Sequence, residues 1–295
     1  MILRQSDAML IMGITGKQGT FWTERMQEYG SRIMGGVNPN KAGTEHCGLP
    51  VYASAVDAMN DTSDGRGGFD VAVLFIPPMG IKAAALDAIE AGAKKMVILT
   101  EHIPVQDVMY VCAAADEAGA RIIGPNTTGV ATPGECFAGF MPMFNDAIMR
   151  PGDVGVISRS GSLGTLICLN LVRAGYGQSA FLGIGGDPVI GTTTRQALED
   201  LDADPGTKAI AMVGEIGGTM EEEAAEYAKG MSKPIVAFIA GGASPEGKKM
   251  GHAGAIVMGG KGTHESKTTA LRAAGVTVIA TPSDVGEAMK AARKS

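Results

Sequence analysis

An α/β protein of two domains, each a parallel sheet with helices on both faces, is predicted by three features of the sequence. Short apolar runs alternate with longer segments of helical period. Several of these runs stop at a glycine or proline turn and lead into a helix, as in doubly wound sheets. The 295 residues are 45% hydrophobic but only 5% aromatic and include 43 glycines, which suits helices packed closely on parallel sheets. That length is enough for two domains of ordinary size. The expected division is residues 1–130, a linker at 131–150, and residues 151–295.

In the first domain, Ala8 to Met12 reads as a buried strand that stops at Gly13. Gly13-Ile14-Thr15-Gly16-Lys17-Gln18-Gly19 follows, then a helix with Phe21, Trp22, Met26 and Tyr29 as inner positions. Strand, glycine turn and helix aim backbone N–H groups at a phosphate. The spacing is GxxGxxG rather than GxGxxG, and a plain tight turn has the same pattern. Arg32 to Val37 is the second strand. A dinucleotide enzyme places an acid near its end to hold the ribose. Here the run continues Asn38-Pro39-Asn40-Lys41 with no acid. Lys41 argues against NAD and for a ligand with an extra phosphate; a solvated loop lysine is the alternative.

The alternation goes on with strands at 69–76, 95–100 and 121–124 and helices at 81–91 and 105–118. Ligand contacts are expected at the C-terminal ends of the strands. These ends hold Gly13 to Gly19, Lys41, Pro77, Thr100 and Asn126. Asp61 to Gly68 reads as a surface loop. Thr132 to Pro151 is rich in proline and glycine without a clear period, and reads as the crossing between domains.

The second domain opens with a strand at Val154 to Ser158, followed by Arg159-Ser160-Gly161-Ser162-Leu163-Gly164-Thr165 and a helix from Leu166 to Arg173. Hydroxyls, glycines and a helix start fall together there, making an anion cradle or an ordinary serine cap. Phe181 begins a strand that ends in Gly185-Gly186-Asp187-Pro188. The strand at 209–214 meets Glu215 and a glycine turn, placing an acid where it can accept a ring N–H from a histidine. Glu221-Glu222-Glu223 opens the next helix, suits its dipole and reads as structural. After a strand at 234–240 comes Gly247-Lys248-Lys249-Met250-Gly251-His252-Ala253-Gly254, with further glycines at 259–262. Neighbours with almost no side chain leave the His252 ring accessible. A helix near Leu271, a strand at 276–279 and a helix at 285–292 complete the chain.

His252, Glu215 and the cradle make a coherent set. His252 can take a phosphoryl group on one ring nitrogen while Glu215 holds the other. The N–H groups of Ser160, Gly161 and Ser162 would hold the phosphate. A Ser-His-Glu hydrolase fits poorly, because Ser160 is not in a GxSxG elbow.

Net charge is −6, which points to neither nucleic acid nor an anionic membrane as partner. The cysteines, Cys47, Cys112, Cys136 and Cys168, are far apart and form no CxxC, so no metal site or disulfide framework is expected. No signal peptide or membrane-length apolar run is read, and a cytoplasmic protein is expected.

Nearly end to end, the chain resembles the alpha subunits of the ADP- or GDP-forming succinate–CoA ligases (succinyl-CoA synthetases). The markers are GITGKQGTF at 13–21, GGVNPNKAG at 35–43, GPN at 124–126, TPGEC at 132–136, SRSGSL at 158–163, GIGGDP at 183–188, GEIGG at 214–218 and MGHAGAI at 250–256. The resemblance implies an N-terminal Rossmann-like CoA-binding domain and a C-terminal flavodoxin-like ligase domain. By position it makes His252 the phosphorylated nucleophile and Glu215 its partner. Thr15, Gly16, Lys17, Gln18, Lys41, Leu99, Thr100 and Glu101 become CoA contacts, and Gly19 and Pro77, at the strand ends already named, are expected to join them. It also implies an ATP-grasp beta subunit, in a heterodimer or heterotetramer, that binds ATP or GTP and magnesium. For succinate it implies a place in the tricarboxylic acid cycle.

Succinate-specific members usually have Cys-Pro where this chain has Thr127-Thr128, and Tyr-Glu where it has Thr165-Leu166. Asn126, Thr127 and Thr128 are therefore expected near the acid, and two added hydroxyls could bond a more polar acid such as malate or a sulfonated acid. Neutral drift, or a matched change in the beta subunit, is the alternative. A citrate-cleaving or citryl-CoA-forming relative would share the histidine chemistry, though a citrate lyase would need a further cleavage domain, and a bare CoA-binding module would leave the second domain and the His252 loop unexplained.

Overall fold

The computed structural model describes residues 1–61, 68–244, 251–257 and 262–294. Residues 247–250 and 259–261, named above beside His252, lie outside the described residues, as does most of the loop expected at 61–68. The first half runs β1 (Met9–Met12), α1 (Lys17–Tyr29), β2 (Ile33–Val37), β3 (Glu45–His46), β4 (Leu49–Tyr52), α2 (Ala55–Asn60) and β5 (Val71–Leu74). It continues with α3 (Ile81–Glu90), β6 (Lys95–Ile98), α4 (Val105–Glu117) and β7 (Arg121–Ile123). Its sheet has the order β3-β4-β2-β1-β5-β6-β7 and is parallel except at β3. The order reverses between β1 and β5, so the turns after these strands splay apart and leave a crevice.

The second half holds β8 (Gly129–Thr132), β9 (Cys136–Gly139), β10 (Pro151–Ser158), α5 (Gly161–Arg173), β11 (Gln178–Gly183), α6 (Thr194–Ala203) and β12 (Ala209–Glu215). Then come α7 (Met220–Ala228), β13 (Ile235–Ala240), α8 (His264–Ala273), β14 (Thr277–Ile279) and α9 (Val285–Ala292). Its order, β14-β13-β12-β10-β11-β8-β9, contains the flavodoxin-like pattern with its reversal between β10 and β12. The expected architecture, two doubly wound α/β units, is therefore the one observed.

The stretch read as a crossing at 131–150 contains structure. Thr132 and β9 belong to an antiparallel hairpin that extends the second sheet, with Phe181 facing Ala131 and Leu182 facing Val130. Every residue of β8 and β9 is buried, so neither strand carries the polar alternation that would reveal it. The hairpin also binds the first half. Ser31 Oγ donates to Phe137 O at 2.8 Å and accepts from Phe137 N at 3.0 Å.

Phe21, expected inside, is 49% exposed. The inner row of α1 is Gly19, Thr23 and Met26, the spacing of one helical face, and Phe21 falls beside it. Trp22 and Tyr29 sit at the core edge against Phe140 and Phe137, with ring centroids 5.6 Å apart in each case. Helix α6 begins at a Thr193–Gln196 capping box, a start signal that is present in the sequence.

Candidate functional site

The glycine turn after β1 is built for close approach. Gly13 has φ of +85°, and a Cβ there would meet Phe75 O at 2.5 Å; one on Gly19 would meet Gly13 O at 2.2 Å. Strand and helix thus touch backbone to backbone, and α1 starts at Lys17 after Gly16 with no side-chain cap. Its first N–H groups lack intrahelical acceptors. Thr15 Oγ1 accepts from Asn38 Nδ2 at 2.5 Å, which ties this turn to the end of β2. Thr100 Oγ1 donates to Ile76 O at 2.6 Å and Asn126 N donates to Thr100 O at 2.9 Å, so the ends of β5, β6 and β7 are laced together.

A cleft of about 820 Å³ opens above these ends. Its wall takes Gly16, Lys17, Gln18 and Gly19 from the glycine turn and α1, and Pro77, Leu99, Thr100 and Glu101 from the next two strand ends. Asn126, Thr127, Thr128 and Gly161 follow, and His252 closes the far side. A second cavity of about 510 Å³ continues from it, sharing Gly16 and Pro77 and adding Thr15 and Asn38. Lys41 lines neither; it is exposed on the turn after β2.

His252 Nδ1 lies 2.7 Å from Glu215 Oε2. A carboxylate only accepts, so Nδ1 carries the hydrogen and Nε2 holds the lone pair of the neutral ring. Glu215 ends β12 and is buried, and its Oε1 lies 3.0 Å from Nη2 of Arg159, which is also buried. Arg159 donates from Nε to Gly185 O at 3.0 Å and from Nη2 to Asp187 O at 3.1 Å. It thereby holds both the acid and the turn under the histidine. That turn is a flat shelf, since a Cβ on Gly186 would fall 2.5 Å from the His252 ring. Asn126, in the left-handed region at φ of +55°, braces the shelf from the first half. Its Nδ2 donates to Asp187 Oδ1 at 2.9 Å and its carbonyl accepts from Gly186 N at 3.1 Å.

Two expectations change at the cradle and beside it. The Ser160 N–H donates to Ser158 Oγ at 3.1 Å, so it is not offered to a phosphate. Ser160 instead caps α5, its Oγ accepting from Leu163 N and lying 3.3 Å from Ser162 Oγ. Gly161 and Ser162 begin the helix and their N–H groups lack intrahelical acceptors. The Thr127 hydroxyl donates to Gly183 O and accepts from Gly129 N at 2.9 Å. It holds backbone together, and its hydrogen is spent on Gly183 O. Thr128 Oγ1 has no hydrogen-bond partner among the described residues. Arg159, Gly186 and Asp187 join the site without being among the residues the sequence predicts for it. They stand inside SRSGSL and GIGGDP, but no spacing rule brings them to His252.

The Glu215 hydrogen bond raises the His252 pKa above the usual histidine value, against the opposing effect of burial and with Arg159 lowering and Asp187 raising it. A raised folded value means that the docked, protonated ring stabilises the fold below the unfolded pKa, and that this is lost as pH rises through the folded pKa. Glu215→Gln is expected to lower the His252 midpoint in an NMR titration. Its destabilisation is expected to be largest in acid and to shrink as pH rises; an unmoved midpoint would break the assigned pair. Among the described residues no group of three His, Cys, Asp or Glu side chains could hold a metal ion.

The chain matches the CoA binding domain family over residues 4–102 and the CoA-ligase family over residues 157–277. It is 46% identical over 286 residues to the alpha 2 subunit of an ADP-forming succinate–CoA ligase from Archaeoglobus fulgidus, covering 97% of each chain. The chain belongs to the succinate–CoA ligase alpha-subunit family. It is thus an alpha subunit of the NDP-forming acid–CoA ligases. It is also 42% identical over 291 residues to subunit SauD of the ADP-forming sulfoacetate–CoA ligase of Bilophila wadsworthia, covering 98% of each chain. Its fold is that of an ATP citrate lyase from Methanothrix soehngenii solved with citrate and coenzyme A, with a TM-score of 0.86 at 24% identity. All of the present chain is covered, and it spans 50% of that longer chain. Among the described residues no helix is long and apolar enough to cross a membrane.

Proposed function

We propose that this chain carries the phosphohistidine of a cytoplasmic two-subunit ligase that joins a small carboxylic acid to CoA and releases NDP and phosphate. The observation that carries the reading is His252, its Nδ1 held by Glu215, at the end of a cleft lined by the expected CoA contacts. His252 Nε2 takes the terminal phosphoryl group of ATP or GTP, which a beta subunit of ATP-grasp type holds with magnesium. Glu215 fixes the tautomer and offsets the charge on the modified ring. Gly161 and Ser162 N–H groups hold the phosphate at the start of α5. The phosphoryl group then passes to the acid's carboxylate, giving an acyl phosphate. CoA supplies the thiol that displaces phosphate from it.

The joined cavities, about 510 and 820 Å³, give a nucleotide end beside Thr15 and a channel past Pro77 and Thr100 for an extended arm. The Gly16 to Gly19 turn would hold the pyrophosphate. Lys41 would hold the further phosphate that distinguishes CoA from dephospho-CoA. Lys41→Ala is expected to weaken CoA binding about tenfold, the worth of one charge-assisted bond. Dephospho-CoA binding should be unaffected in the same calorimetric titration; equal losses for both ligands would remove Lys41 from that role.

Succinate is the family's acid. A second reading, a more polar acid, is supported by the sulfoacetate-ligase relative and by Thr128, a residue of the cleft wall whose buried hydroxyl has no hydrogen-bond partner among the described residues. The deciding experiment uses the chain co-purified with its partner. Succinate, malate, citrate and sulfoacetate are screened for CoA-dependent NDP release. Release with none of them, or with the isolated chain alone, would overturn the reading.

A further inference from the structure

Beneath Glu215 lies an ion pair that the ligase chemistry does not use. Lys267, in the first turns of α8, and Glu221, in the first turn of α7, are both fully buried, and Lys267 Nζ donates to Glu221 Oε2. The same ammonium lies 3.2 Å from Glu222 Oε2. Glu221, expected to suit its helix's dipole, is thus also one half of a buried ion pair. Burying two charges is costly, and apolar replacements of similar shape are often as stable. Stability alone does not account for the pair.

Its geometry points elsewhere. The other oxygen of Glu221, Oε1, accepts from the backbone N of Glu215 at 3.3 Å. Gly214 makes room for it, because a Cβ there would meet both Glu221 Cγ and Oε1 at 2.7 Å. The helix that supplies Lys267 is tied to the same place, since Gly217 N donates to Gly262 O at 2.8 Å just before α8 begins. Gly262 also follows the segment that carries His252. The strand end bearing the acid is thus joined to the start of α8 both by the buried pair and by the Gly217–Gly262 bond.

We propose that the Glu221–Lys267 pair is a positioning device that sets the backbone of Glu215, and through it the carboxylate that His252 meets. The proposal rests on the phosphohistidine reading above. The groups facing His252 are Glu215, Arg159 and Asp187; Glu221 and Lys267 act only through Glu215.

Two double variants separate position from stability. K267M/E221Q removes both charges but keeps an acceptor oxygen toward Glu215 N, whereas K267M/E221L removes the acceptor as well. In the complex with the partner subunit, K267M/E221L is expected to label from γ-labelled ATP or GTP at least about tenfold more slowly than K267M/E221Q, as a small misplacement of a reacting group would cause. NMR titration of the full chain is expected to show a lower His252 midpoint in K267M/E221L than in K267M/E221Q. Equal labelling and equal midpoints would overturn the proposal. Should K267M/E221L fail to fold, Gly214→Ala decides, because it pushes Glu221 Oε1 away with both charges kept. Parental labelling and midpoint in Gly214→Ala would then overturn it. An unlabelled parent complex would instead count against the phosphohistidine, while the midpoints still test the positioning role.

Discussion

His252→Ala is expected to abolish phosphate incorporation from ATP or GTP into the complex while CoA binds the chain as before. The two readouts separate because the ring and the expected CoA contacts belong to different halves. His252 stands on the Gly186 shelf of the second half, whereas Thr15, Gly16, Lys17, Thr100 and Glu101 come from the first. Among the described residues, the acids that face His252 do not replace it as nucleophile. Glu215 and Asp187 are buried acids, and Glu215 is engaged with Arg159. A covalent route divides one difficult transfer between two easier steps, so its loss leaves no partial rate. Net synthesis of acyl-CoA falls with the labelling. Radiolabel retained in His252→Ala would place the phosphoryl group on another residue and discard the mechanism.

The pH dependence of the same labelling follows from the Glu215 contact. Attack needs a neutral ring with its lone pair on Nε2. The contact with Glu215 raises the ring's pKa above the ordinary value, so labelling should increase with pH through a midpoint above that of a free histidine.

The glycine turns and strand ends that make the cleft were legible because local rules govern them. A turn between strand and helix needs glycine where backbone meets backbone, as at Gly13 and Gly19, and the chain displays that need directly. Glu215 was legible for a related reason: an acid at the end of a buried strand must have a partner. Arg159 was not. Its reach to Glu215, Gly185 and Asp187 joins the ends of three strands, and only the strand order of the second sheet brings these together. Lys267 and Glu221 were hidden because each, read in its own helix, looks like an ordinary surface charge. The β8–β9 hairpin was hidden by burial on both faces, which erases the period that marks a strand.

Gly186→Ala is expected to reduce labelling of His252 by about two orders of magnitude, the usual result of displacing a reacting group by an ångström. Gly186 has no need of glycine for its backbone, since only its neighbour Gly185 lies in the left-handed region. The new methyl would instead sit 2.5 Å from Cγ and 2.6 Å from Nδ1 of His252. These distances are far inside contact, so the ring has to lift off the shelf. Lifting it lengthens the 2.7 Å bond to Glu215. The fold loses little, because the 3.1 Å bond from Gly186 N to Asn126 O involves backbone that alanine retains. CoA affinity is expected to stay at the parental value, and the His252 midpoint to fall toward that of a free imidazole. Parental labelling in Gly186→Ala would show that phosphoryl receipt does not depend on the ring's seat against Gly186 and Glu215, and would overturn this positioning role.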